Sequence, residues 1–275
     1  MDTEFRGRVS VVAWAVVAAT AVSLVVRLPA VFVVNFEALG SPISLQISDT
    51  TLMAAFLALL SASGAESAIR THPRFCQRSG RWATWGYWAL PAALSILAVV
   101  LIPQLPSRIA QVAGLLAHGG LMALALFSLY ATVDPGASGF RRGRVFLNVL
   151  AYASALALFL LVYQTRIRSL LSGSVVALTA TLLAVELLRS TTQRRELILS
   201  YALIVGLVLG ETTWALNYWT LPGLTGGLLL LLVFYLIVSL AQHALQGHLT
   251  RRVIVEFALF AIFALILIAV VGPGF

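Results

Sequence analysis

Apolar residues fall into nine long runs, each closed by a short polar or arginine-bearing segment. The runs cover 9–26, 51–69, 85–102, 109–131, 145–164, 170–188, 197–219, 221–245 and 253–271. Each has roughly 18–25 residues, enough for a helix to cross ~30 Å of hydrocarbon at 1.5 Å per residue. Few show the polar face that a soluble core helix of this length would carry. The pattern predicts an all-α polytopic membrane protein with nine transmembrane helices, organised as a single integral membrane domain over 1–275. Val9 onward is apolar without a small-residue cleavage site, so the first run is read as an uncleaved span.

One segment breaks the pattern. Between the first two runs, Ile43, Leu45 and Ile47 alternate with Ser44, Gln46 and Ser48. Before them, Phe32, Val34 and Phe36 alternate with Val33, Asn35 and Glu37. Period two is a strand signal, and Gly40-Ser41-Pro42 supplies turn chemistry between the two stretches. The expectation is a short extracytoplasmic β-hairpin in the 28–50 loop, with Asp49 capping the second helix. Short joints elsewhere, at Pro103-Gln104-Leu105-Pro106 and at Pro222, make antiparallel neighbours of the helices they connect.

Composition agrees with the runs. The chain is 60% hydrophobic and 10% charged, against about 45–50% and about 25% in soluble domains. All 18 basic residues are arginine, and the net charge is +8. Alternate loops carry them unequally. Fourteen lie on the side of Arg6, Arg70, Arg141, Arg194 and Arg251; four, Arg27, Arg108, Arg166 and Arg168, lie on the other. The positive-inside bias makes the first side cytoplasmic, which puts the N-terminus in and the C-terminus out of a cell (cytoplasmic) membrane. The arginines are thus read as facing membrane lipids rather than nucleic acid. Trp82, Trp85, Tyr87 and Trp88 read as an interfacial aromatic belt. Cys76, the single cysteine, cannot form an internal disulfide.

Most acidic groups have a local partner. Glu66 precedes Arg70 by four residues, Glu186 precedes Arg189 by three, Glu256 follows Arg252 by four, and Glu196 adjoins Arg195. These read as structural pairs at helix ends. Glu211 differs. It lies ~21 Å along its run from the cytoplasmic end and ~12 Å from the outer end, with no arginine three or four positions away. A charge at that depth costs at least ~2.5–3.5 kcal/mol on insertion scales, so it must be protonated, paired or wet. Glu211, Trp214, Asn217 and Tyr218, with mid-membrane His118, are the candidate binding or proton site; a lone histidine otherwise reads as neutral and packed in a glycine groove.

Gly206 and Gly210 form a small-xxx-small pair, and Gly119 and Gly120 flank His118; both pairs are predicted to serve helix packing. Ser200, Leu207, Glu211 and Tyr218 make a second stripe on the Glu211 helix, and two such stripes predict a central helix enclosed on more than one side.

No catalytic constellation and no metal site is read from the chain, and no cofactor is expected. Without lysine there is no retinal Schiff base, no phosphate-loop lysine and no pyridoxal lysine. Asp2, Asp49 and Asp134 are too scattered for the aspartate-rich motifs of intramembrane prenyltransferases. Glu66-Ser67-Ala68-Ile69-Arg70 resembles the Glu-Glu-x-x-x-Arg motif of CAAX-type intramembrane proteases, but Ala65 stands where the first glutamate would be.

The segment 211–219, the Leu-Pro-Gly turn after it, the 242–252 loop and the 39–50 stretch resemble a family of uncharacterised bacterial multi-pass proteins. That resemblance implies no activity and supplies no catalytic residues. Three functions stay open. The first is a non-enzymatic accessory or scaffold subunit, or a binder of a lipid-like molecule, working with other membrane subunits or as a homo-oligomer. The second is a small proton- or cation-coupled transporter using Glu211. The third is an enzyme on a lipid-linked substrate at the outer face, with Arg108, Arg166 and Arg168 as phosphate clamps and Tyr218 and Trp219 as walls.

Overall fold

The computed structural model describes residues 3–26, 32–38, 41–47, 49–76, 84–165, 169–192, 194–218 and 223–271. It places a helix on each apolar run. In chain order these are α1 (Thr3–Val25), α2 (Asp49–Ile69), the short α3 (Pro73–Cys76), α4 (Ala89–Leu101), α5 (Arg108–Ala131), α6 (Phe140–Thr165), α7 (Ser169–Leu188), α8 (Arg195–Leu216), α9 (Gly223–Leu245) and α10 (Arg251–Val271). Between α1 and α2, strands β1 (Phe32–Ala38) and β2 (Ser41–Ile47) pair antiparallel, with Phe32 opposite Ile47 and Ala38 opposite Ser41.

Seven helical segments among the described residues are long and apolar enough to cross a membrane: those of α1, α2, α4 with its flanking turns, α5, α6, α8 and α9. This is fewer than the nine expected. α7 contributes a shorter apolar stretch, Gly173–Leu188, and α10 carries Arg251, Arg252 and Glu256 in its first two turns.

The helix ends have local causes. The third run is divided: a 3₁₀ turn at Trp85–Tyr87 precedes α4, and another at Ile102–Gln104 follows it. Pro91 has no N–H to donate, so it suits the first turn of α4, where donors lack partners anyway. Pro103 lies two residues past Leu101 and helps close the helix. Ser107 caps α5, its hydroxyl accepting the Ala110 N–H at 3.1 Å. Asp49 opens α2 and accepts the Thr50 N–H at 2.7 Å. Past α9, Gly247 takes φ +72, and the His248 and Gly247 N–H groups donate back to the His243 and Ala244 carbonyls. That is a left-handed cap of the kind glycine supplies without strain.

The chain forms two compact units, Met1–Phe146 and Leu147–Phe275. In the first, α4 is the most enclosed helix, 61% of its span being buried. Its face of Ala89, Ala93, Leu94, Leu97 and Ala98 packs among α2, α5 and α1. Close approach needs small groups: a Cβ on Gly64 would meet Val12, and one on Gly119 would meet Val17. One end of this unit is tied by polar contacts. Arg8 donates to the Ser67 carbonyl at 2.9 Å and to Glu4 at 2.7 Å, Glu66 pairs with Arg70, and Arg74 pairs with Asp134 at 3.1 Å. Phe5 and His72 stack on Tyr130 at the same end.

In the second unit, α7 and α8 make the most extensive helix pair. Phe234 of α9 packs edge-on against Tyr152 and Phe159 of α6, and a Cβ on Gly227 would strike Leu160. α10 touches α9 through Phe257, which packs on His243, and Phe260, which packs on Tyr235. The remaining faces of α10 are largely exposed.

Candidate functional site

The glycine stripe of α8 meets a matching stripe on α7. A Cβ on Gly206 would overlap the Thr181 hydroxyl and lie 2.6 Å from the Ala177 carbonyl oxygen; one on Gly210 would lie 3.0 Å from the Ala177 Cβ and 3.1 Å from the Gly173 carbonyl oxygen. Gly173, Ala177 and Thr181 recur every four residues, so two small-residue ridges face each other and the backbones come nearly into contact. Thr213, one turn further on, is buried on the same face and donates to the Leu209 carbonyl at 2.8 Å. Ile198, Ala202, Val205, Leu209 and Leu216 complete the packed side of α8.

Glu211 lies on the other side. Ser200, Leu207, Glu211, Trp214 and Tyr218 are all exposed, Trp214 by 53% and Tyr218 by 74%. The expectation of a helix enclosed on more than one side is therefore corrected: only the glycine side is closed, and the most enclosed helix is α4. The physical reason is that close packing needs small residues, and α8 offers them on one face only. The helix also ends at Leu216 rather than 219, so Glu211 stands five residues, or ~8 Å, from its C-terminal end. Among the described residues Glu211 makes no hydrogen bond or ion pair. Trp214 and Tyr218 stack edge to face at 5.9 Å just beyond it. Asn217 is the C-terminal cap residue of α8. Trp219, Arg166 and Arg168 lie outside the described residues, and so do Arg27 and Trp82. Arg108 is exposed at the start of α5.

Three of the other acids follow their local arginines, whereas Glu196 forms no ion pair with Arg195 among the described residues. Glu186 and Arg189 form a 2.8 Å pair that is almost wholly buried, at 0% and 8% side-chain exposure. Beside it the Gln242 side chain donates to the Leu187 carbonyl at 3.2 Å, so α9 caps the end of α7. Glu256 pairs with Arg252 at 3.0 Å on the surface.

His118 belongs to the first unit. It is buried, and its Nε2 has no hydrogen-bond partner among the described residues. Its neighbours Gly119 and Gly120 differ. Gly119 is pressed against Val17 of α1, whereas a Cβ on Gly120 would meet nothing within 4 Å. Gly120 opens instead onto a groove of about 320 Å3 between α1 and α5. Val9, Ala13, Val17, Leu116 and Phe127 make its walls apolar, Ser10 and Trp14 border it, and Arg6 stands at one end. Arg6 is exposed and makes no hydrogen bond or ion pair among the described residues. Along α1 the groove runs from Arg6 to Val17, ~17 Å, about half the thickness of a bilayer's hydrocarbon. The sequence reading missed this groove, because hydropathy does not say which two helices will lie side by side.

Neither the curated proteins nor the solved structures include a match to this chain. A family model does match, over residues 28–271, which takes in β1, β2, both glycine stripes and Glu211. The chain belongs to the DUF5656 family, described as a protein family of unknown function.

Proposed function

We propose that this chain is a multi-pass protein of the cytoplasmic membrane that binds a phospholipid-like amphiphile in the α1–α5 groove and acts as an accessory or scaffold subunit. The observation carrying this reading is the groove itself. It joins an apolar trough one leaflet deep to a cation, Arg6, that has no hydrogen-bond or ion-pair partner among the described residues. An acyl chain fits the trough, and a phosphate fits a guanidinium bidentately. In this reading the chain is one membrane domain crossing nine times, α7 and α10 included, with the N-terminal end of α1 inside and the β1–β2 pair outside. The arginine bias supports that orientation.

Binding is tested on protein purified in mild detergent, with bound lipid extracted and weighed by mass spectrometry and phosphatidylglycerol affinity measured by titration. Arg6→Gln should lower affinity roughly tenfold, the loss of one charge-assisted hydrogen bond of about 1.5 kcal/mol. Gly120→Trp should fill the groove and remove bound lipid while the protein still folds. Unchanged lipid content in both variants would rule the groove out. For orientation, Ser41→Cys should react with an impermeant thiol reagent added outside intact cells, and Cys76 should not; the opposite pattern overturns it.

A further inference from the structure

The α1 wall of the groove has a regular polar edge. Arg6, Ser10 and Trp14 border it at intervals of four residues, so they stand in one row at steps of ~6 Å along the helix. Each can donate a hydrogen bond, through a guanidinium, a hydroxyl and an indole N–H. No carboxylate lines the groove among the described residues. A ligand seated here gains from carrying acceptors, and a cationic group on it finds no partner.

Ser10 says most about that ligand. A serine or threonine hydroxyl within a helix can satisfy itself by donating to the carbonyl three or four residues back. Thr20, further along α1, donates to Val16 in this way, and the exposed Ser63 and Ser200 donate to Leu60 and Glu196. Ser10 is exposed and makes neither that bond nor any other side-chain hydrogen bond among the described residues. Its hydroxyl stands between the apolar walls of Val9 and Ala13, where an acceptor supplied by the ligand relieves it. A ligand whose phosphate meets Arg6 reaches Ser10 one turn deeper. In a glycerophospholipid that place is taken by acyl ester carbonyls, which follow the phosphate across the glycerol carbons. In an alkyl or prenyl phosphate it is taken by hydrocarbon, which offers no acceptor. The groove presents its contacts in the first order: a cation, then a neutral donor, then the apolar surface of Val17 and Leu116.

We propose that the groove selects acyl-ester glycerophospholipids, the Ser10 hydroxyl donating to an ester carbonyl while Arg6 holds the phosphate. This rests on the lipid-binding reading of the groove and adds to it the class of lipid and the residue that selects it.

The test titrates the full chain, in mild detergent, with phosphatidylglycerol in two forms of equal chain length, the diacyl ester and the dialkyl ether. The two share headgroup and hydrocarbon and differ in the carbonyl oxygens. The unaltered protein should bind the ester about fivefold more tightly, a difference of ~1 kcal/mol. Ser10→Ala should weaken the ester about fivefold and leave the ether unchanged, which abolishes the preference. Ser10→Thr, which keeps a hydroxyl, should still prefer the ester. Arg6→Gln should weaken both forms alike and leave their ratio unaltered. Equal affinity of the unaltered protein for the two forms, or a preference that survives in Ser10→Ala, would overturn the inference and leave lipid binding in place. Loss of both forms in Ser10→Ala would make the serine structural and overturn it as well. Binding of neither form by the unaltered protein would remove the reading of the groove on which the inference rests.

Discussion

Glu186 and Glu211 sit on adjacent, antiparallel helices of the same unit, yet they are handled in opposite ways. Glu186 is wholly buried because Arg189, just past the end of α7, pairs with it at 2.8 Å. Glu211 has no arginine in reach on α8, and it is turned to the open face, away from the glycine ridge. A carboxylate with a cation one turn away can be enclosed; one without is left on the open face. The first is held by a near neighbour in sequence, and the second makes no hydrogen bond or ion pair among the described residues.

Breaking the buried pair should give the largest effect. Arg189→Ala removes the cation and leaves a buried carboxylate behind, which costs on the order of 3–5 kcal/mol; unfolding in detergent, followed by circular dichroism, should show a clearly lowered midpoint. Next comes the glycine ridge. Gly206→Ala must push α8 away from Thr181 and the Ala177 backbone, with a loss of about 1–3 kcal/mol, and Gly210→Ala should lose less because its neighbours stand about 3 Å off. A reversed order would mean that the α7–α8 contact is not set by these glycines. Glu211→Leu should sharpen the contrast with Glu186. It should change the midpoint by no more than ~0.5 kcal/mol equivalent, since no hydrogen bond or ion pair among the described residues is lost. The smallest effect is expected at Gly120→Ala, whose new methyl enters open space.

The helices were legible because each apolar run is bounded by arginine, proline or a capping serine, and those signals are local. Ends were less so. Tyr218 and Trp219 read as the aromatic end of the run, which carried α8 three residues beyond the point where its backbone leaves the helix. The Gly206–Gly210 ridge was legible as a motif, but its counterpart of Gly173, Ala177 and Thr181 was not, because small residues on one helix do not name the helix they meet. Arg74 and Asp134 escaped for a related reason, since sixty positions separate them. The enclosure expected for Glu211 failed on physical grounds. A polar stripe on a helix wheel marks a distinct face but does not by itself bring protein against it, and the Ser200, Leu207, Glu211 and Tyr218 face is open.

The α7–α8 ridge also bears on how the chain is made. Its tightest contact sets Gly206 against Ala177 and Thr181, on consecutive helices linked only by the short stretch after Leu188. Contacts between sequence neighbours carry little loop-closure entropy and form early. The hairpin of α7 and α8 can therefore zip together as soon as α8 has left the ribosome, before α9 exists to be packed. The glycine face would be occupied from that moment, so that later helices meet a hairpin already closed along its tightest seam.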